Sequence, residues 1–331
     1  MSEVRVGTSG WNYPRGKGTW NGVFYPPSRG RAKSFDELAY YADRFDTVEI
    51  NSTFYGQPRE DVARGWVERT PDGFEFSVKL YQKFTHPGMF RKRVERTLPL
   101  AGTDLGAAWM DAVVEELARP TRADLDEFKR GIDPLASAGR LGALLAQFPS
   151  SFKSTHQERD YLESLLSEFG DFPVAVELRH RSWSDDVDAT LDLLNAHGAA
   201  WVQIDEPKFR LSIRQNALPN IKGFYYMRLH GRNAAKWWKH DSPDDRYDYH
   251  YSEAELREFA DTVGAVRRLV KKSYVYTNNH YSAKSVANAL TIKRILDEPI
   301  EGEYPPEMID RYPELRGVAP IAESAIRTRR N

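Results

Sequence analysis

Eight ionisable side chains fall near the ends of short apolar segments, where they could share one site. They are three acids, three bases and two histidines: Glu49, Glu177, Asp205, Lys79, Arg179, Arg228, His230 and His280. A carboxyl group whose pKa is raised by a neighbouring carboxylate can serve as a general acid or base. Imidazole can transfer protons near neutral pH. Together these residue types predict acid/base chemistry.

The residue types also suggest a division of roles. Catalysis is assigned to the acids and one histidine, namely Glu49, Glu177, Asp205 and His230. The cationic side chains would bind phosphate or carboxylate, and aromatic side chains could stack on a sugar or a nucleobase. The predicted substrate-binding residues are Ser9, Trp11, Asn51, Tyr55, Lys79, Arg179, Trp183, Arg228, Asn278 and His280. Mutual ion pairing of the charged residues is the competing interpretation.

The same acids and His230 are suitable ligands for a divalent metal. However, three cations in one site would repel such an ion, and the chain has no His-Glu-x-x-His motif. No cofactor is therefore predicted, and a divalent metal ranks below a metal-free site.

Composition restricts the class of protein. The 331 residues carry a net charge of −1, which disfavours a strongly basic nucleic-acid coat. The absence of Cys excludes thiol catalysis, disulfides, Cys-ligated zinc and iron–sulfur clusters. No segment resembles a signal peptide or reaches the ~18 apolar residues of a membrane span. We expect a soluble cytoplasmic protein without membrane partners, and the sequence leaves its oligomeric state open.

The elements that must position these residues alternate between strands and helices. Short apolar segments predict eight strands, at 4–9, 46–51, 74–80, 141–148, 174–179, 200–205, 224–230 and 273–278. Apolar residues three and four positions apart predict helices between most of them. Repeated strand–helix units pair their strands in parallel, and eight units predict an α/β fold with a single (β/α)8 TIM barrel.

The barrel domain is predicted over residues 4–298. Residues 81–140 are too long for one crossover, so we expect an enlarged segment after strand 3 with helices near 105–118 and 123–137. Residues 299–331 contain five prolines and are expected to form a C-terminal tail that wraps the surface or is partly disordered.

Successive side chains of a strand point to opposite faces, and the predicted strands have one apolar and one polar face. Glu49 and Asn51 alternate with apolar residues, and so do Gln203 and Asp205. The apolar faces should meet the helices. The polar faces then point into the barrel, and their last members lie at the C-terminal mouth, where barrel enzymes have their sites.

Two loop segments add to this mouth. The turn Gly7-Thr8-Ser9-Gly10-Trp11-Asn12-Tyr13 follows the first strand, and its glycines allow backbone N–H groups to be exposed. Lys236-Trp237-Trp238-Lys239-His240 interleaves charge with indoles, a pattern that suits a polyanion.

Six ordered motifs carry a family resemblance: Val6-Gly7-Thr8-Ser9-Gly10-Trp11, Glu49-Ile50-Asn51-Ser52-Thr53-Phe54-Tyr55, Gln147-Phe148-Pro149, Glu177-Leu178-Arg179 with Ser182-Trp183, Arg228-Leu229-His230-Gly231 and Thr277-Asn278-Asn279-His280. Together they resemble the domain of unknown function 72 family, also called YecE-like, over about residues 4–297. The resemblance implies a TIM barrel but assigns no reaction. The chain departs from the usual family pattern in residues 81–140 and in the tail.

Three functions are compatible with these residues. The favoured one is a hydrolase or lyase that acts on a phosphorylated or nucleic-acid-derived substrate by metal-free acid/base chemistry. The second is a glycoside hydrolase that uses Glu49 and Glu177, unless ion pairs consume both acids. The third is a non-catalytic protein that binds single-stranded nucleic acid, which the net charge makes least favoured.

Overall fold

The computed structural model describes residues 2–27, 34–97, 107–215, 218–237 and 242–322. Its centre is a sheet of nine parallel strand segments. They are β1 Glu3–Ser9, β2 Thr47–Ile50, β3 Glu75–Lys79, β4 Leu141–Gln147, β5 Val174–Glu177, β6 Ala200–Trp201, β7 Gln203–Asp205, β8 Phe224–Leu229 and β9 Lys272–Thr277.

The nine segments form a closed barrel of eight strands. The sheet order runs β6-β5-β4-β3-β2-β1-β9-β8-β7, so β6 and β7 are its two ends. These two segments are separated only by Val202 and are therefore one strand, which pairs with β5 through its first half and with β8 through its second. All eight predicted strands are present, and the α/β TIM-barrel prediction is confirmed.

Within the described ranges, fourteen α-helices accompany the strands: α1 Glu37–Ala42, α2 Ser52–Tyr55, α3 Glu60–Glu68, α4 Gln82–Thr85, α5 Pro87–Thr97, α6 Ala107–Ala118, α7 Arg122–Ser137, α8 His156–Glu168, α9 Ser182–Asp185, α10 Val187–Ala196, α11 Ala234–Trp237, α12 Glu253–Val266, α13 Lys284–Ile295 and α14 Pro306–Arg311. Within the described part of 206–223, the connection from β7 to β8 has no helix. None of the helices in the described ranges is long and apolar enough to cross a membrane.

Reciprocal capping fixes where two long helices begin. The Thr121 side chain accepts from the backbone N–H of Asp124, whose carboxylate accepts from the Thr121 N–H, at the start of α7. Ser252 and Glu255 form the same arrangement at the start of α12. Each pair satisfies backbone donors that have no partner inside the helix.

The enlarged segment after strand 3 consists of α4, α5, α6 and α7, and the last two are the predicted pieces near 105–118 and 123–137. Residues 98–106 lie outside the described residues. In the tail, residues 299–322 pack onto the barrel: Tyr304, Met308 and Leu315 are fully buried. Residues 323–331, the end of the predicted tail, are outside the described part of the chain.

Polar side chains fill much of the barrel interior. At its N-terminal end, Glu75 accepts hydrogen bonds from the Tyr274 hydroxyl and the Lys272 ammonium. One layer up, the Tyr276 hydroxyl lies between Thr47 and Ser77. The interior is crowded: a Cβ at Gly7 would lie 2.3 Å from the carbonyl oxygen of Thr47, so only glycine fits there. These layers support the charged residues above them.

Candidate active site at the barrel mouth

Arg228, on β8, binds Glu49, on β2, through two hydrogen bonds. The guanidinium Nε donates to Glu49 Oε2 at 2.8 Å, and Nη2 donates to Oε1 at 2.6 Å. The Tyr226 hydroxyl adds a third hydrogen bond to the same carboxylate at 2.9 Å. Glu49 and Arg228 are 0% and 1% exposed. Because the pair is bidentate and out of water, its geometry is strongly fixed.

Glu177, at the end of β5, joins two guanidinium groups. Its Oε2 accepts from Arg228 Nη1, and its Oε1 lies 2.6 Å from Arg179 Nη2. Arg179 reaches on to Glu206, with Nη1 3.1 Å from Oε2. Burial acts to raise the pKa of Glu177, but Arg228 and Arg179 outweigh it and hold that pKa well below its usual range. Glu49, Arg228, Glu177, Arg179 and Glu206 thus form a chain of alternating charges.

His230 packs against this chain as a neutral imidazole. Burial, together with Arg179 and Arg228, lowers the pKa of His230 to about 3, although Glu177 opposes the shift. Nε2 lies 3.2 Å from Arg179 Nη2 and 3.4 Å from Arg228 Nη1. Nδ1 lies 2.9 Å from Asn278 Nδ2, an amide nitrogen that only donates, so both ring nitrogens face hydrogen-bond donors, which disfavours a second ring proton.

A cavity of about 960 Å³ opens above these ion pairs at the C-terminal ends of the strands. Seven predicted binding residues line it: Asn51, Tyr55, Lys79, Arg179, Arg228, Asn278 and His280. Tyr55 is a rim residue with a 65% exposed side chain, and the His280 ring stacks on Tyr13 at 4.2 Å. Seven of the ten residues predicted to bind a substrate therefore lie around one cavity.

The residues predicted to be catalytic lie elsewhere. Glu49, Glu177 and His230 are within the barrel, as alternation predicted, but none of them lines the cavity. The two carboxylates are instead committed to guanidinium groups beneath its floor. This ion pairing counts against glycoside hydrolysis by Glu49 and Glu177, because neither carboxylate faces the cavity in which a sugar would bind.

The prediction that Asp205 points into the barrel is wrong. Ile204 pairs with Arg228 and Asp205 pairs with Leu229, and paired residues share a face, so Ile204 points inward and Asp205 points toward the helices. There the carboxylate accepts from Arg232 Nε and from the Tyr251 hydroxyl, at 2.9 and 2.7 Å. The sequence-based alternation was out of phase by one residue.

Correcting the phase identifies the acid that sequence reasoning missed. Glu206 is the residue after Asp205 and lines the cavity, 6% exposed. Burial raises the pKa of Glu206, while Arg179 opposes the increase. Since Asp205 and Glu206 are adjacent acids, only the pairing of the strand could decide which one faces the cavity.

Lys79, the last residue of β3, presents its ammonium group to the cavity. The side chain makes no hydrogen bond or ion pair with any residue in the described ranges, and Nζ lies 4.0 Å from the centroid of the Phe54 ring. Burial and the nearby Arg228 lower the pKa of Lys79 to about 7, although Glu177 and Glu49 oppose the change. An amine with this pKa is about half neutral at pH 7.

His86 also lines the cavity and was not predicted from the sequence. Its ring centroid is 4.9 Å from that of Phe54, so the imidazole and the Lys79 amine share one aromatic neighbour. Burial and the positive charge of Lys79 lower the pKa of His86 to about 3. His86 is the C-cap residue of α4 and lies outside any strand, so alternation gave no signal for it.

Three predicted binding residues do not line the cavity. Trp183 is fully buried and stacks on Phe152 at 5.4 Å. Trp11 packs edge-on against Trp66 at 6.1 Å. Ser9 is buried in the barrel, and its carbonyl oxygen accepts from the Tyr13 hydroxyl. These three residues are therefore not placed to contact a substrate in this cavity, and the two tryptophans pack against other aromatic rings instead.

Of the basic and aromatic stretch at 236–240, only Lys236 and Trp237 are in the described ranges, and Trp237 lines the cavity. Trp238, Lys239 and His240 lie outside the described residues. Among the residues that the structure describes, no three His, Asp or Glu side chains are grouped so that they could hold a metal ion.

The fold and site define a TIM-barrel protein with a polar cavity above a floor of buried ion pairs. The chain belongs to the family described as Protein of unknown function DUF72, whose model matches residues 5–309. UPF0759 protein YunF of Bacillus subtilis (strain 168) is 27% identical over 317 residues, which are 92% of this chain and 99% of that protein. UPF0759 protein YecE of Escherichia coli (strain K12) is 29% identical over 145 residues, which are 43% of this chain and 41% of YecE.

Solved structures show the same architecture. A DUF72 family protein from Thermotoga maritima MSB8 matches with a TM-score of 0.71 and 34% identity, covering 89% of this chain and 100% of that one. A DUF72 family protein from Enterococcus faecalis V583 has a TM-score of 0.69 at 23% identity, covering 90% of this chain and 97% of that chain, and shows the shared fold.

Proposed function

We propose that the protein is an enzyme that binds a small anionic substrate of the phosphorylated class in the mouth cavity and transfers protons through Lys79. The proposal rests on the position of the Lys79 amine, which lines the cavity and pairs with no acid of the described residues. Its pKa is about 7. A proton-transfer group works best when its pKa is near the operating pH.

The charges around the cavity support an anionic substrate. Its lining contains five cationic side chains and one acid: Lys79, Arg179, Arg210, Arg228, Arg246 and Glu206. Arg179 and Arg228 are neutralised by Glu177 and Glu49 below the floor. Lys79 and the exposed Arg210 have no acidic partner in the described ranges, which leaves positive charge for a phosphate or carboxylate.

The ion-paired floor has a positioning role in this proposal. Arg228 donates to Glu49, Glu177 and Gln147, so most of its N–H groups are already used. A substrate anion would therefore meet Lys79 and the rim rather than displace these bonds. The fixed charges hold the field at Lys79 constant, and such preorganisation favours a charged transition state.

The test compares phosphorylated sugars, nucleotides and abasic DNA with their unphosphorylated counterparts by thermal shift, calorimetry and product analysis. We expect binding to require the phosphate, and Lys79→Met to lower turnover by about 10²–10⁴-fold. Lys83→Arg is the control, because Lys83 is ion-paired with Asp124 at 2.7 Å and does not line the cavity. Turnover that survives in Lys79→Met, or a preference for uncharged ligands, would contradict the proposal.

A further inference from the structure

We propose that Lys79 is a nucleophile that forms a covalent iminium with its substrate, and hence that the substrate is a small anionic aldehyde or ketone. This inference rests on the proposed function and adds two things to it, a covalent step and a reactive group on the substrate. It follows from the position of the amine and from what surrounds it.

The geometry leaves the lone pair of a neutral Lys79 amine free to react. Nζ lies over the Phe54 ring, 4.0 Å from its centroid, and no described residue within hydrogen-bond reach accepts from it. The ring face attracts the ammonium form, but it donates no hydrogen bond to the lone pair of the neutral amine. Lys83, by contrast, is held in an ion pair with Asp124.

Charged groups from three sides of the barrel face the Lys79 amine. They are Arg228 from β8, Glu177 and Arg179 from the end of β5, and Glu49 from β2. The His86 imidazole, next to α4, lies beside the same Phe54 ring and senses the charge of Lys79. Burial and the two arginines disfavour the ammonium form, and the two glutamates favour it. The glutamates are tied to the arginines by short hydrogen bonds, so they cannot swing out to pair with the amine.

The step balances without another reagent. The ammonium group gives one proton to water in the cavity, and the neutral nitrogen then attacks the carbonyl carbon to form a carbinolamine. The carbinolamine oxygen takes up two protons, one from the attacking amine nitrogen and the one that the ammonium group first released. The C–O bond then breaks and the oxygen leaves as water. The product is a protonated iminium, so R–NH₃⁺ and a carbonyl compound give R–NH⁺=C and water.

The charge of the site is the same before and after this step. An iminium carries one positive charge at the position of the former ammonium, so the ion-paired floor needs no rearrangement. A polar side chain lies beside the amine. Ile50 on β2 pairs with Val78 on β3, so the residues that follow them, Asn51 and Lys79, are neighbours, and both line the cavity. The Asn51 amide makes no hydrogen bond to a described residue and could bind the carbinolamine hydroxyl.

Reductive trapping tests this inference. The full-length protein is incubated with glycolaldehyde phosphate or glycolaldehyde in the presence of sodium cyanoborohydride, and the modified lysines are located by peptide mass spectrometry. We expect Lys79 to be alkylated at least tenfold faster than Lys83 and the surface lysines, with a rate that rises between pH 6 and pH 8. Inorganic phosphate should slow the reaction with the phosphorylated aldehyde.

The outcomes separate this inference from the proposed function. Alkylation of Lys79 no faster than that of Lys83 overturns the covalent step, and the proposed function then stands or falls on the binding and turnover tests of Lys79→Met. Rapid alkylation of Lys79 by both aldehydes alike supports the nucleophile but contradicts the preference for phosphate. Lys79→Arg, which keeps the positive charge, is the matched control and should lose the label while retaining the fold.

Discussion

The guanidinium of Arg228 donates two hydrogen bonds to the carboxylate of Glu49 across the inside of the barrel, at 2.8 and 2.6 Å. The two residues are 179 positions apart in the sequence, and the strands that carry them are separated by β1 and β9 in the barrel wall. The pair therefore ties together two sides of the barrel, and it supports the field in which Lys79 lies.

Replacing Arg228 should strongly destabilise the fold. In Arg228→Met, Glu49 and Glu177 remain buried without their common partner, and breaking a buried ion pair in this way costs about 3–5 kcal/mol. Urea unfolding measures the change. Arg64→Met, which removes an exposed pair with Glu60, is the control and should cost about 0.3–0.5 kcal/mol. Equal effects of the two substitutions would mean that the buried pair does not hold the barrel together.

Glu177 should make stability depend on pH in the acid range. Its pKa is lower in the folded protein than the usual value of 4.5, so the unfolded chain binds the proton first as the pH falls. The stabilisation is fully present above pH 4.5 and is lost progressively below it. Unfolding free energies measured from pH 6 to pH 3 should decline more steeply for the wild type than for Glu177→Gln. Parallel curves would refute the lowered pKa.

Lys79 should reduce stability below neutral pH. Its pKa falls from 10.5 in the unfolded chain to about 7 in the folded protein, so the unfolded chain binds more protons between these values. Stability therefore rises with pH through this interval, and the full penalty applies below pH 7. Lys79→Met should be the more stable protein at pH 6, by at least about 1.4 kcal/mol, the equivalent of one pKa unit. The difference should shrink by pH 9.5, and a difference independent of pH would contradict the lowered pKa of Lys79.

Substitutions of the adjacent acids Asp205 and Glu206 should change different properties, folding stability for Asp205 and ligand binding for Glu206. Asp205→Asn weakens the bonds to Arg232 and Tyr251 on the helix side, and we expect a loss of about 1.5–3 kcal/mol in unfolding free energy. Ligand binding in the cavity should not change. Glu206→Gln should instead alter ligand affinity or the rate of Lys79 alkylation, because Glu206 pairs with Arg179 at the cavity. A change of cavity properties in Asp205→Asn would contradict this division.

The sequence alone predicted the architecture and seven of the residues that line the cavity. Short apolar segments alternating with helical periodicity specify eight parallel strands, and the polar faces of those strands placed Asn51, Lys79 and Arg228 at one end of the barrel. Alternation succeeds because the side chains of a strand have a period of two, whatever their neighbours are.

The tertiary structure decided how those residues are used. The phase of the strand at 200–205 depends on its pairing with β8, so an apolar–polar pattern with Asp205 and Glu206 side by side could not show which acid faces the cavity. Likewise, Glu49 and Glu177 have the residue types of an acid/base pair, and only their hydrogen bonds to Arg228 show that both are committed to the floor. Lys79 became the reactive candidate because the fold leaves its amine at the cavity with no acidic partner in the described ranges, a property of three-dimensional neighbours that spacing along the chain does not encode.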